Sequence, residues 1–200
     1  MSPEILSMFN TRRVILGAGL LALPVLAACG DSSTAPGGET ELISRVTLTF
    51  TPAGGGTPIT AYIDDADGNG PQAPSAQVGT LGLAAGTTYT GTVKFENRLS
   101  NPIEDITEEV EEESDEHRVY YTVAGGLTGA GLVLSATDTD TQGRPLGVTF
   151  SAVVNGTVGG QTGTLRVVLC HYDEAPKVGS STSCQGETDI DVSFAVSATN

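Results

Sequence analysis

The chain has 200 residues, 24 acidic against 9 basic side chains, a formal net charge of −15, and no tryptophan. So negative a balance excludes nucleic acid and anionic lipid headgroups as partners. It suits either the binding of cations, hard divalent ones above all, or solubility in a saline habitat. The length fits one domain with a sizeable core.

The first readable segment is Arg12-Arg13 followed by an apolar run from Val14 that closes on Leu26-Ala27-Ala28-Cys29. Two cations, an apolar stretch and small residues at a cut site are the order of a lipoprotein signal peptide with its lipobox. The 15 positions from Val14 to Ala28 fall short of the roughly 20 that a membrane-spanning helix needs. Cleavage before Cys29 and acylation of its thiol would anchor the chain to a membrane, each buried methylene contributing about 0.8 kcal/mol. Thr11 to Leu16 also resembles a twin-arginine export motif, so general secretory and twin-arginine export both stand. Gly30 replaces the aspartate that retains many such proteins in the inner membrane, which favours the outer membrane or cell surface, facing the periplasm or the outside. Loss of residues 1–28 removes Glu4, Arg12 and Arg13 and makes the mature chain one charge more negative. Gly30 to Gly38 is small and polar, a spacer with nothing to bury. The expected organisation is a signal peptide over 1–28, a flexible polar tether over 29–41 and a β-sandwich domain over 42–200.

From Ser44 the pattern acquires period two: Val46, Leu48 and Phe50 alternate with Thr47, Thr49 and Thr51, as in a half-buried strand. Further strands are predicted at Ile59–Ile63, Gln77–Leu83, Tyr89–Glu96, Arg118–Val123, Leu132–Thr137, Val148–Val154, Thr164–Cys170 and Asp189–Val196, separated by clusters of Gly, Pro, Asn and Asp. Short strands in this number, with 26 glycines, predict an all-β sandwich and not an α/β enzyme fold. Leu83 to Val93 resembles the tyrosine-corner segment of immunoglobulin-like and fibronectin type III sandwiches, which makes Leu83 and Tyr89 structural.

Between the predicted strands lie the acidic clusters. Asp65-Ala66-Asp67-Gly68-Asn69-Gly70 matches the first half of an EF-hand-type calcium loop, with oxygen donors at alternate positions and Asp64 adding charge. The twelfth position is Ala76 where that loop uses a glutamate, so further ligands must come from elsewhere, and a polar hairpin turn explains the same residues. Asp138-Thr139-Asp140 is a weaker echo flanked by strands, which also reads as a plain turn. Glu104 to Glu116 carries 9 carboxylates in 13 residues. Ile103, Ile106 and Val110 at i, i+3 and i+7 predict a short amphipathic acidic helix there, begun near Pro102. It is either a solvated face or the source of Glu108, Glu109, Glu112 or Asp115 to complete a calcium site with Asp65 and Asp67.

Two histidines occur, His117 and His171. Each adjoins a strand and acidic neighbours, so they are read either as sharing a transition-metal site or as surface residues without a common role. Cys170 and Cys184 remain once Cys29 carries lipid. An even pair in an oxidising compartment predicts a disulfide; the alternative, a zinc site of Cys170, His171 and Cys184, has unfavourable spacing.

Val46 to Pro52, Asp64 to Gly70, Gly86 to Gly91, Glu104 to Glu109, Asp115 to His117, Asp138 to Asp140 and Gly186 to Val192 together resemble a family of small lipoproteins from Bacteroidota and relatives, often labelled "type 1 periplasmic binding fold superfamily protein". The likeness spans nearly all of residues 42–197 and implies an envelope lipoprotein with no assigned reaction. The strand pattern lacks the alternating long helices that such a label names.

No nucleophile elbow, phosphate-binding glycine loop or metalloprotease histidine pair is present, and aromatics at 5% leave little for a sugar-stacking platform. The expected function is non-enzymatic: a lipid-anchored, calcium-binding β-sandwich of the cell envelope. Two alternatives stand beside it. One is a surface or fibre subunit that self-associates through calcium; the other is a periplasmic binding protein for a small ligand.

Overall fold

The computed structural model describes residues 41–200 apart from Asn69 and Glu174. The expected signal peptide, Cys29 and the expected tether up to residue 40 lie outside the described residues. In chain order the elements are β1 (Arg45–Pro52), β2 (Ile59–Asp64), β3 (Leu81–Ala84), β4 (Thr88–Asn97), β5 (Glu104–Asp105), α1 (Ile106–Glu112), β6 (His117–Gly125), β7 (Leu132–Ala136), β8 (Thr149–Val154), β9 (Thr162–His171) and β10 (Glu187–Thr199). One sheet runs β2-β1-β4-β8-β7 with β5 on the end of β4; the other runs β3-β10-β9-β6. Pairing is antiparallel except between β3 and β10, which are parallel.

The two sheets face each other across one core, as the period-two alternation requires. Val46, Leu48 and Phe50 of β1 are buried while Thr47, Thr49 and Thr51 are only half-buried on the other face. Phe50, Phe95, Phe150 and Phe194 are fully buried, each contributing roughly 1.5–3 kcal/mol. Phe50 meets Phe150 edge-on with centroids 5.4 Å apart. Gly91 lies in register with both rings, and a Cβ there would overlap the Phe150 ring. The tyrosine corner forms as expected: Leu83 is buried, Gly86 turns the chain between sheets at φ 76°, and the Ala84 N–H donates to Tyr89 Oη at 2.7 Å.

Two elements differ from their predictions. The strand expected over Gln77–Leu83 is divided: Val78 forms an isolated antiparallel bridge with Tyr62 of β2 and the run from Leu81 enters β3, because Gly79 adopts φ 88° and breaks the extended chain between them. Gln77 instead ties to β10 through its side chain, whose Oε1 accepts from the Ala195 N–H at 2.7 Å. The acidic helix is also shorter than its charge run. Asp105 caps it, accepting from the Thr107 N–H at 3.2 Å, and Ile106 and Val110 are buried while Ile103 is exposed. Pro102 precedes β5 and does not open the helix. An aspartate is better placed at an N-cap than inside a helix already crowded with like charge.

Past α1, Glu113 N–H donates to Glu109 and Glu116 N–H to Glu113. This tight turn delivers the chain into β6 at His117. Cys170 and Cys184 form a disulfide with Cα atoms 5.4 Å apart. It holds the 173–186 loop over the outer face of the second sheet, where Tyr120, Val168, Cys170 and Tyr172 form a small separate cluster and the two tyrosine hydroxyls bond to each other.

Candidate metal centre

His117 opens β6 and His171 closes β9, and the two are directly opposite in the antiparallel ladder. Side chains alternate along β9: Leu165, Val167 and Leu169 enter the main core, whereas Val168 and Cys170 belong to the outer cluster. His171 therefore continues the inward row, and its ring stacks on that of His117 with centroids 4.3 Å apart. The third residue comes from β10. There the pairing passes from Thr188 opposite Cys170 to Ile190 opposite Leu169, leaving Asp189 as the extra residue of a bulge. A bulge lets two successive residues share a face, so both Asp189 and Ile190 are buried. Glu41, just ahead of β1, supplies the fourth.

The four side chains converge with little room for water. Those of His117 and Asp189 are 0% exposed and those of Glu41 and His171 5%. His117 Nε2 lies 3.1 Å from Glu41 Oε1 and 3.9 Å from Asp189 Oδ2; His171 Nδ1 lies 3.8 Å from both Glu41 Oε2 and Asp189 Oδ1. Glu41 Oε2 and both Asp189 oxygens are buried with no hydrogen-bond partner among the described residues. Orphaned acceptors in one cavity are costly, of order 1–3 kcal/mol each and more when charged, unless a cation joins them.

The outer nitrogen of His117 is held as that of a metal-binding imidazole usually is. His117 Nδ1 is 3.2 Å from the Glu113 carbonyl oxygen. A carbonyl only accepts, so Nδ1 donates to it; Nε2 faces the Glu41 carboxylate at 3.1 Å, donates there when no ion is bound, and would give up that proton to an ion at the centre. His171 Nε2 is 2.9 Å from Asp173 Oδ1, an ion-pair contact without the alignment of a hydrogen bond. Electrostatics within the group are mutual. Burial, with the Glu41 charge, pushes the Asp189 carboxyl up to about 8. Burial also acts to raise Glu41, but the hydrogen bond and charge of His117 hold it below the usual carboxylate range. Burial acts to lower His117, yet Glu41 and Asp189 keep it above its ordinary value.

Two nitrogens and two carboxylates suit a borderline divalent ion such as zinc better than calcium, which takes oxygen donors. In a tetrahedron of donors about 2.0–2.1 Å from zinc, the donors stand about 3.3 Å apart; one donor atom from each of the four residues lies within 4.8 Å of the others, so binding an ion would draw the group inward.

The residues expected to bind calcium are placed differently. Asp64 pairs through both oxygens with Arg45 at 2.5 and 2.7 Å. Asp138 accepts from the Gly147 and Thr149 N–H groups at 2.7 and 2.8 Å. Asp140 accepts from the Gln142 and Arg144 N–H groups and pairs with Arg144 at 2.6 Å and Lys177 at 3.0 Å. Asp64 and the 138–140 turn are thus held by cations and amides of the chain itself. Asp65 is buried and receives one long bond, 3.4 Å, from the Asp67 N–H, while Asp67 Oδ1 is buried without a partner among the described residues. Glu108, Glu109 and Glu112 are exposed on α1, and Asn69 lies outside the described residues. Among the described residues, the acidic and histidine groups close enough to share an ion are Glu41–His117–His171–Asp189 and Glu113–Glu116–His171. Neither includes a member of the expected calcium set. The zinc alternative at Cys170, His171 and Cys184 is closed by the disulfide.

Of the centre, the sequence pointed to the two histidines but not to Glu41 or Asp189. Glu41 falls at the end of what reads as tether, and strict alternation from Ile190, Val192 and Phe194 sends Asp189 to the outer face. A bulge leaves no mark in that alternation.

No family model, no curated protein and no solved structure matches this chain.

Proposed function

We propose that this chain is a lipid-anchored lipoprotein of the cell envelope whose β-sandwich binds a divalent transition metal, zinc in the first instance, through Glu41, His117, His171 and Asp189. The observation that carries the reading is the buried convergence of two imidazoles and two carboxylates with three partnerless oxygens. Four protein donors with almost no exposure favour a structural or metal-holding centre over catalysis, because a catalytic ion keeps an open position. The anchor rests on the Leu26-Ala27-Ala28-Cys29 motif.

Zinc titration of the metal-stripped chain tests it. One tight equivalent and a higher melting temperature are expected, both lost in His117→Ala; no binding at micromolar zinc refutes the reading.

Calcium at the 64–70 loop is a second reading, favoured by the partnerless Asp67 Oδ1 and by burial, which raises the Asp65 carboxyl. In that case calcium raises the melting temperature of His117→Ala as well, and Asp65→Asn removes the rise. Calcium-dependent growth of particle size in light scattering would add self-association; unchanged size keeps the protein a monomeric binder.

A further inference from the structure

None of the centre's four side chains is more than 5% exposed, so a hydrated cation needs a stop outside it. His171 faces two ways. Its Nδ1 looks to Glu41 and Asp189, while its Nε2, buried and without an aligned hydrogen bond, lies 3.8 Å from Glu116 Oε2 and 2.9 Å from Asp173 Oδ1. Glu113 and Glu116 face solvent, and their carboxylate oxygens and a His171 ring nitrogen all lie within 4.8 Å of one another. Backbone bonds tie this outer trio to the centre: Tyr172 N–H donates to the Glu116 carbonyl at 2.8 Å, and the Glu113 carbonyl accepts from His117.

We propose that Glu113, Glu116 and the Nε2 side of His171 form a second, solvent-facing subsite that captures a divalent transition-metal ion and loads it into the buried centre. This rests on the reading of that centre as a metal site. A neutral imidazole carries one proton and one lone pair. With the ion outside on Nε2, the proton sits on Nδ1 and is donated toward Glu41 and Asp189. With the ion inside on Nδ1, the proton sits on Nε2 and faces Asp173. The ring thus holds one ion at a time, and the outer subsite acts on the rate of loading.

The test is stopped-flow loading of cobalt(II), followed by its visible absorption, into the full chain in detergent. Glu113→Gln/Glu116→Gln is compared with Glu108→Gln/Glu111→Gln, which removes the same charge from exposed positions outside both groups. The first pair is expected to load at least roughly ten-fold more slowly than the control pair, the scale of local electrostatic capture. Release should slow by the same factor, with one equivalent bound at unchanged affinity. Equal rates in the two pairs overturn the subsite. So does loss of the bound equivalent in the first pair, because the glutamates would then belong to the centre itself. A wild-type chain that takes up no cobalt overturns the centre and the subsite together, whereas normal uptake with equal rates overturns the subsite alone.

Discussion

Asp189→Asn separates a metal ligand from a structural aspartate by the sign of its effect. In the metal-free protein both Asp189 oxygens are buried without a partner, and its neighbour Glu41 also has a partnerless oxygen. An asparagine of the same shape removes a carboxyl whose charged form burial and Glu41 disfavour and supplies N–H donors to the Glu41 oxygen. Relief of one to two unsatisfied groups is worth about 1–3 kcal/mol, or roughly 2–12 °C at about 2–4 °C per kcal/mol for a domain of this size. Zinc acts in the opposite direction. At a free concentration a thousand times its dissociation constant it stabilises the wild type by about 4 kcal/mol, roughly 8–16 °C on the same scale, and the asparagine variant forfeits most of that. Differential scanning calorimetry with chelator and with excess zinc gives four melting temperatures. The variant is expected above the wild type without metal and below it with zinc. A variant that melts lower in both conditions would falsify the ligand role, since the carboxylate would then be stabilising the fold by itself.

Other expectations concern the scaffold. Burial acts to raise the Asp140 carboxyl, but bonds from the Arg144 backbone and side chain, Lys177 and the Gln142 N–H hold it well below the usual range. A carboxyl depressed in the folded state contributes stability above its ordinary value of 3.8 and loses it as pH falls further. Asp140→Asn strands the buried Lys177, costs about 3 kcal/mol at pH 7, and should show a shallower loss of stability between about pH 4 and 2 in urea melts. Gly91→Ala puts a methyl into the Phe150 ring and should cost about 1–3 kcal/mol by overpacking; a neutral outcome in urea denaturation would mean that the ring is free to move. Tyr89→Phe removes the acceptor for the Ala84 N–H and should cost about 1–2 kcal/mol with no change in zinc affinity. Reduction of the Cys170–Cys184 bond, which closes a 14-residue separation, should cost about 3 kcal/mol on the loop-entropy account, read as a lower melting temperature in dithiothreitol.

Much of this architecture is written locally. Val46-Thr47-Leu48-Thr49-Phe50-Thr51 can bury one face and wet the other only as a strand, and repetition of that pattern leaves few solutions but two packed sheets. The tyrosine corner and the disulfide were legible for a similar reason: a short motif in one case and parity in the other, each carrying its own geometry. Where a single backbone torsion decides, as at Gly79, the sequence overextended the strand, because a glycine is compatible with both outcomes.

The site follows another logic. Acidic density is conspicuous in sequence, and it drew attention to Asp64, Asp138 and Asp140. Yet these carboxylates bind whatever the fold brings near: Arg45 reaches Asp64, Arg144 and Lys177 reach Asp140, and the Gly147 and Thr149 amides reach Asp138 first. His117 and His171 stood out by chemical type, but their distance followed from the register of β6 on β9. Glu41 and Asp189 were placed by tertiary structure alone, one by docking of the chain ahead of β1 and the other by a one-residue bulge that reverses the side a strand residue faces. The sequence by itself determined the composition, the lipobox-like run Leu26-Ala27-Ala28-Cys29 and the strand periodicity, all of which depend on near neighbours along the chain. Ligand convergence depends on register and on contacts between residues far apart in sequence, and only the packed sandwich decided it.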